Sequence, residues 1–539
     1  MKEKIRKIFK ESMAIESFTH TSSERDIEAF LDRELGKLPY FKEHPELFGS
    51  YAIPHDFYGR AVNWALVKND TADTVVLFHH HDTVDIEDFG NLRDVALDND
   101  ALKQKLADTA PQQAVLDDLA SDVWQFGRGS CDMKAALALQ LGVLETYSQQ
   151  KNGHVNLLYL SVGDEESYSQ GMRAATELLY DLKQKYQLNY LLAIDSEPFE
   201  STRADEKVLH IGTVGKLLPV VVTQGILSHM KEPLTGVNAI SLLAKIVEKI
   251  DLNPALSDSI YGERSPLPSW SYMRDLKEHY DVSTVLHAAA YLSVLYLEKS
   301  PQELMTILQD LSQEAIDEFY SRYRDLQETY GEKKQVARPR LLTYQQLVEE
   351  CRSKENFTSV KEELDQAARQ DLKNGKTYQE ITIETIQKLL DFHNQKEALV
   401  ILAVAPPYYP SMNCRHLQDS PIDIEALISL YQDFLENEGK KLTVEEFFMG
   451  ICDISYCALE KPVEDYQHVL ESLAVPADLY QIDFSKMKDI RIPAVNLGPW
   501  GKDLHQISER VYEKDMLETI PNFLLHLLEN IELIKKSGK

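Results

Sequence analysis

The chain has 539 residues, 43% of them hydrophobic, and carries 57 Lys and Arg against 87 Asp and Glu, a formal net charge of −30. Such a length exceeds what one hydrophobic core fills, and the ordinary apolar content excludes wholesale disorder. The acidity argues against nucleic acid or anionic lipid as a partner, and no run of about 18 apolar residues offers a membrane span.

In chain order, the opening MKEKIRKIFKESMAIES sets Ile5, Ile8, Phe9 and Met13 on one stripe; it reads as an amphipathic helix rather than a secretory leader. Residues 24–36 keep helical spacing through Ile27, Phe30, Leu31 and Leu35. Val62, Trp64 and Leu66 alternate as a half-buried strand, and Thr74–Phe78 is a short apolar run. Helices are expected at 133–149 and 171–186, with strands at 155–162 and 190–194. The alternation predicts an α/β fold with a mainly parallel, doubly wound sheet. After residue 211 the texture changes: a strand at 217–223, a helix at 237–250, then a long helix-rich acidic stretch to about 395 in which Ser300-Pro301 opens a helix. The run at 398–410 reads as a strand ended by prolines, followed by helices near 422–437 and 443–458, a strand at 492–497 and a closing helix after Ile507. This divides the chain into 1–211, an inserted α+β piece at 212–410, and 411–539 that completes the first part. Five cysteines, sparse and odd in number, suit a reducing cytoplasm and buried thiols rather than disulfides.

In open α/β sheets functional groups collect where strands end. Five such places carry imidazole or carboxylate: His79-His80-His81-Asp82, Gly127-Arg128-Gly129-Ser130-Cys131-Asp132, Gly163-Asp164-Glu165-Glu166, Asp195-Ser196-Glu197-Pro198, and the stretch Gly498 to His505. Each alone is commonplace, an acidic turn or a hydrogen-bonded histidine. Their coincidence is not. Imidazole and carboxylate without thiolate is the donor set of catalytic zinc, cobalt or manganese, and so many donors suit two ions sharing a carboxylate, roughly 3.5–4 Å apart.

The motifs HHD (80–82), GRGSCDMK (127–134), GDEES (163–167), SEP (196–198) and GPWGKDLH (498–505) together resemble the M20 family of co-catalytic metallopeptidases and deacylases. The long middle piece and the APPYYP run look most like its arginine-utilisation (RocB-type) branch. The resemblance implies a catalytic domain made of 1–211 and 411–539, interrupted by a lid and dimerisation domain. It implies one divalent ion, most simply zinc with cobalt or manganese as alternatives, on His80, Asp132 and Glu197, and a second on Asp132, Glu166 and His505. Asp195 stays open as an alternative to Glu197, which the Glu-Pro pattern favours. Glu165 is implied as general base toward a metal-bridging water, and Asp82 as the group that fixes the His80 tautomer. His229 matches a lid histidine that steadies an oxyanion across a homodimer. His79 reads as a supporting or packing group, and Lys216, Lys231, Arg128 and Arg415 as candidate clamps for a substrate carboxylate. The implied activity is hydrolysis of an amide in a small substrate, an N-acyl amino acid or short peptide, within arginine catabolism. An aminopeptidase or dipeptidase of the same family, and a non-catalytic metal- or metabolite-binding regulator, are the alternatives.

Overall fold

The strands Asp73–His80, Asn156–Val162 and Asn189–Asp195 are buried along almost their whole length, as strands covered on both faces must be. They form the centre of the fold in the computed structural model, which describes residues 1–109, 112–150, 153–203, 205–277 and 279–536. The chain separates into two units: Met1–Thr213 with Met412–Glu460 and Ser485–Lys539, and Val214–Ser411 with Lys461–Phe484. The two changes of unit near 213 and 411 fall close to the changes of sequence texture. Residues 461–484, expected with the first unit, join the second, where Val463–Ser472 packs on Pro301–Thr329 and on Leu399–Val404.

The first unit is α/β. Its eight-stranded sheet runs Phe48–Ala52, Ala61–Val67, Asn156–Val162, Asp73–His80, Asn189–Asp195, Ala494–Asn496, Glu206–His210, Lys441–Glu445. The four strands from Asn156–Val162 to Ala494–Asn496 are mutually parallel, whereas the first three are antiparallel neighbours. Register places His80 beside Val162, Phe78 beside Asp195, and Asn496 beside Asp195. The loops that leave these strands therefore begin at one level of one edge. The helix Lys134–Ser148 packs on Asp73–His80 and Asn156–Val162 and is buried through most of its length. The opening helix Lys2–Met13 lies against it through the expected stripe. Gly142 permits that approach, since a Cβ there would come within 2.4 Å of Ile5.

Two stretches differ from the sequence reading. The acidic segment after Asp85, given no element in the sequence reading, winds into Glu87–Val95, Asn99–Thr109 and Gln113–Leu119; Phe89, Leu92, Leu102 and Leu106 share a core with Trp124, Phe126 and Trp500. The helix expected at 443–458 is instead the strand Lys441–Glu445, parallel to Glu206–His210, and a short turn at Asp453–Tyr456. A free sheet edge, supplied by a strand more than two hundred residues earlier, decides this. All five cysteines are free and buried.

The second unit carries a sheet in the order Gly215–Leu217, His287–Tyr296, Pro219–Gln224, Leu399–Val404, Arg340–Thr343, with Ser269–Asp275 also paired to His287–Tyr296. All pairs but the last in that order are antiparallel. The strands at 269–275 and 287–296 lie inside the stretch expected to be helical. Ala288, Ala289 and Ala290 look helix-forming, yet they are fully buried between two neighbouring strands. Helices Ala239–Ile250, Pro301–Thr329, Tyr344–Arg352, Phe357–Lys373 and Tyr378–His393 complete the unit. Capping boxes at Ser300/Glu303, Thr343/Gln346 and Thr377/Glu380 start three of them.

Candidate metal centre

The ends of the parallel strands bring together His80, Asp82, Asp132, Glu165, Glu166, Glu197 and His505, all in the first unit. His80 is 2% exposed. Its Nδ1 donates to the main-chain carbonyl of Asp82 at 2.9 Å, which leaves the lone pair of a neutral ring on Nε2. That Nε2 lies 2.9 Å from Asp132 Oδ1 and 3.5 Å from Glu197 Oε1. On the other side, His505 Nε2 lies 3.1 Å from both Asp132 Oδ2 and Glu166 Oε1. Lone pairs of nitrogen and ionised oxygen facing one another repel, so each group requires a proton or a cation among its acceptors. The donor set fits two divalent cations: two imidazoles, three carboxylates, no thiolate, with Asp132 offering one oxygen to each histidine. Ligand atoms of His80, Asp132 and Glu166 lie within 4.8 Å of one another, as do those of His80, Glu165 and Glu197.

The electrostatics agree with the geometry. Burial, helped by neighbouring positive groups, holds the adjacent His79 and His81 down to about 3. Burial acts on His80 in the same sense, but Glu197, Asp132 and Asp82 overturn it and hold this imidazole well above its usual range. Of the three adjacent histidines the middle one meets Asp132 and Glu197. His79 packs on Tyr159 and meets Gln140 Oε1 at 3.0 Å, and His81 meets Ser161 Oγ at 2.9 Å. His505 is raised to about 11 by hydrogen bonds to Asp132 and Glu166. What holds a proton on these nitrogens would hold a metal ion there, the two competing for one lone pair.

Asp82 faces His80 Nδ1 with both its carbonyl and its carboxylate, and the carboxylate does a second job. The His80 tautomer is fixed by the Asp82 carbonyl, while the carboxylate, 3.5 Å from Nδ1, accepts the amide N–H of Glu165 at 3.1 Å and of Glu166 at 3.2 Å. It thereby hangs the turn that presents both glutamates. The same turn is gripped from behind by Asp164, which accepts from buried Arg60 at 2.8 Å; Arg60 also binds Glu24 at 2.6 Å and Asp56 at 2.8 Å. Glu165 is partly buried, and burial moves its carboxyl well above the usual range; His80 opposes the rise, while Asp453, Glu166 and Asp132 add to it. Asp453 comes from the turn at Asp453–Tyr456, and burial raises it to about 7. The distances single out Glu197, not Asp195, as the carboxylate approaching His80.

The sequence reading overlooked Glu509, Asp453 and Arg60. Glu509 is fully buried and accepts the amide N–H of Cys131 at 3.1 Å and of Asp132 at 3.3 Å. Its position four residues after His505 was the available signal. Arg128 and Arg415, considered as substrate clamps, are already engaged: Arg128 by Glu509 and Asp88, Arg415 by Glu446 and Glu425. His229, Lys216 and Lys231 belong to the second unit. There His229 is exposed, and its Nδ1 accepts the amide N–H of Lys231 at 3.1 Å.

Comparison with known proteins places these residues in a wider set. The sequence model of peptidase family M20/M25/M40 matches residues 76–530. The chain is 28% identical to protein RocB of Bacillus subtilis, covering 98% of this chain and 96% of that one, and 29% identical to YqjN of the same organism, covering 94% and 93%. Among solved structures, a tripeptidase from Staphylococcus aureus superposes with a TM-score of 0.52 at 14% identity over 98% of both chains, which speaks for the fold.

Proposed function

Because the chain belongs to peptidase family M20/M25/M40, in its RocB-like branch, and is thus a hydrolase, we propose that it cleaves an amide bond in a small substrate, an N-acyl amino acid or short peptide. The observation that carries this reading is the Asp132 carboxylate with one oxygen toward His80 Nε2 and the other toward His505 Nε2, at 2.9 and 3.1 Å. His80, Asp132 and Glu197 would hold one divalent ion, and Asp132, Glu166 and His505 the other. Two such ions, zinc most simply, would supply Lewis acidity and water at a lowered pKa.

The remaining work falls to the chain's own side chains. Glu165 takes a proton from the attacking water and returns it to the departing nitrogen, a role suited to a carboxylate whose surroundings raise its proton affinity. Asp82 and the Arg60–Asp164 pair keep that carboxylate aimed while the proton moves. His229, in a second copy of the chain, would donate to the developing oxyanion. We place the enzyme in the cytoplasm, in arginine catabolism; among the described residues no helix is long and apolar enough to cross a membrane.

Within the aminopeptidase or dipeptidase alternative, one observation favours an aminopeptidase, which recognises its substrate by the free amino end. Arg128 and Arg415 are both held in ion pairs, so using either as a carboxylate clamp would strand a partner acid. Incubating metal-loaded protein with a mixed library of dipeptides and N-acyl amino acids, read by mass, tests both readings. Loss of N-acyl amino acids alone supports deacylation, and loss of unblocked dipeptides alone supports the alternative. No turnover of either class with two ions bound would overturn amide hydrolysis.

A further inference from the structure

Glu509 holds more of the Asp132 loop than any ligand does. Its Oε1 accepts the amides of Cys131 and Asp132 at 3.1 and 3.3 Å, and its main-chain oxygen accepts from Gly127 N at 3.1 Å and Ser130 Oγ at 3.4 Å. Its Oε2 accepts from Arg128 Nη1 at 3.0 Å. Arg128, 1% exposed, reaches onward to the Asp85 carbonyl at 3.0 Å, Asp88 Oδ1 at 2.7 Å and the His505 carbonyl at 3.4 Å. One buried ion pair therefore ties together three segments: the loop of Asp132, the segment of His505, and the turn after Asp85. His505 is otherwise loosely housed. Its side chain is 48% exposed, and it sits on a loop with φ of +59°, outside any strand or helix.

We propose that Glu509, acting with Arg128, is a positioning residue that fixes the distance between Asp132 and His505, so that the second metal position exists only while this pair is intact. The proposal rests on the two-metal reading above. The physical reason is direction. His80 is aimed by a strand and by its own carbonyl contact, so its side of Asp132 survives a loosened loop. On the His505 side only Glu166 is held elsewhere, by the turn hung from Asp82; the other two groups, Asp132 and His505, hang from the Glu509–Arg128 pair. Groups that orient metal ligands without touching the ion typically control 10–100-fold in affinity. Gln at 509 keeps an oxygen for the two amides but turns an N–H₂ toward Arg128, breaking the ion pair with little change of shape.

The test is zinc titration of metal-free protein against a competing chelator, with cobalt absorption as a second readout, on wild type, Glu509→Gln and Arg128→Lys. Circular dichroism and melting of the metal-free forms establish that each variant is folded. Wild type is expected to bind two ions. Glu509→Gln is expected to bind one with near-native affinity and the other at least ten-fold more weakly, with the cobalt spectrum of the second ion altered. Arg128→Lys, which keeps the charge but loses the planar fork, is expected to fall between; it also carries the test if Glu509→Gln does not fold. Rescaled melting with two unchanged zinc affinities in both variants would reduce the pair to a structural brace and overturn the proposal. Wild type that binds no metal would instead sink the two-metal reading itself.

Discussion

His80 and His505 meet the same carboxylate from opposite sides and reach it by different means. His80 ends a strand flanked on both sides by parallel neighbours, is almost wholly buried, and has its ring fixed by the chain two residues on. His505 comes from a loop, with half of its side chain in solvent. The contrast shows how one centre combines two needs. The strand-borne half gives a fixed point to which geometry is referred, and the loop-borne half leaves a face by which a substrate can enter and product leave. Glu165 and Glu166 stand between, on a turn hung from Asp82, which follows the strand of His80.

The largest effect separates chemistry from this scaffold. Glu165→Gln should lower kcat by about a thousand-fold, within the range for a removed general base, while both halves keep their metal. Rate and metal content measured on one preparation check it; a variant that turns over normally would remove Glu165 from the mechanism. Next comes the comparison itself. His80→Ala should destabilise the metal-free protein by about 3 kcal/mol, because it leaves buried carboxylates without their partner, whereas His505→Ala should cost about 1 kcal/mol, since its half-exposed ring lets water reach the Asp132 and Glu166 oxygens it leaves behind. Denaturant melts decide, and equal losses would erase the distinction between the halves. The smallest effect concerns pH on the strand-borne side alone. Burial raises Glu28, 3.9 Å from His81 Nε2, from the usual carboxylate range to about 7. The folded state thus keeps a proton that the unfolded chain releases, and stability falls as pH rises from about 4.5 to 7. Glu28→Gln should remove roughly 2 kcal/mol of that fall and melt higher than wild type at pH 8. Parallel pH profiles for the two proteins would show that Glu28 titrates normally.

Much of the first unit was legible because its strands are apolar runs bounded by chemistry-bearing loops. The five stretches that carry imidazole or carboxylate stood out because they end such runs or open a helix, and the resemblance to the family picked His80, Asp132, Glu166, Glu197 and His505 within them. Less legible were the supports. Arg60 lies in a segment without a motif, and its meaning appears only where Glu24, Asp56 and Asp164 surround it. Glu509 looked like one acid among many until its carboxylate was seen against the Asp132 amide. The second unit was harder, since Ala288–Ala290 in a central strand and a capped helix at Pro301–Thr329 offer similar composition to a reader of residues.

The sequence by itself determined the alternation of strands and helices, the type of donor at each strand end, and the surplus of acid over base, because periodicity and residue chemistry are local. Only the tertiary structure decided which partners each of the three adjacent histidines meets, that the Asp82 carboxylate also takes the amides of Glu165 and Glu166, and that 441–445 is a strand. Each of those depends on a partner brought close by the sheet from a distant part of the chain, and no local pattern encodes the direction in which a side chain will find it.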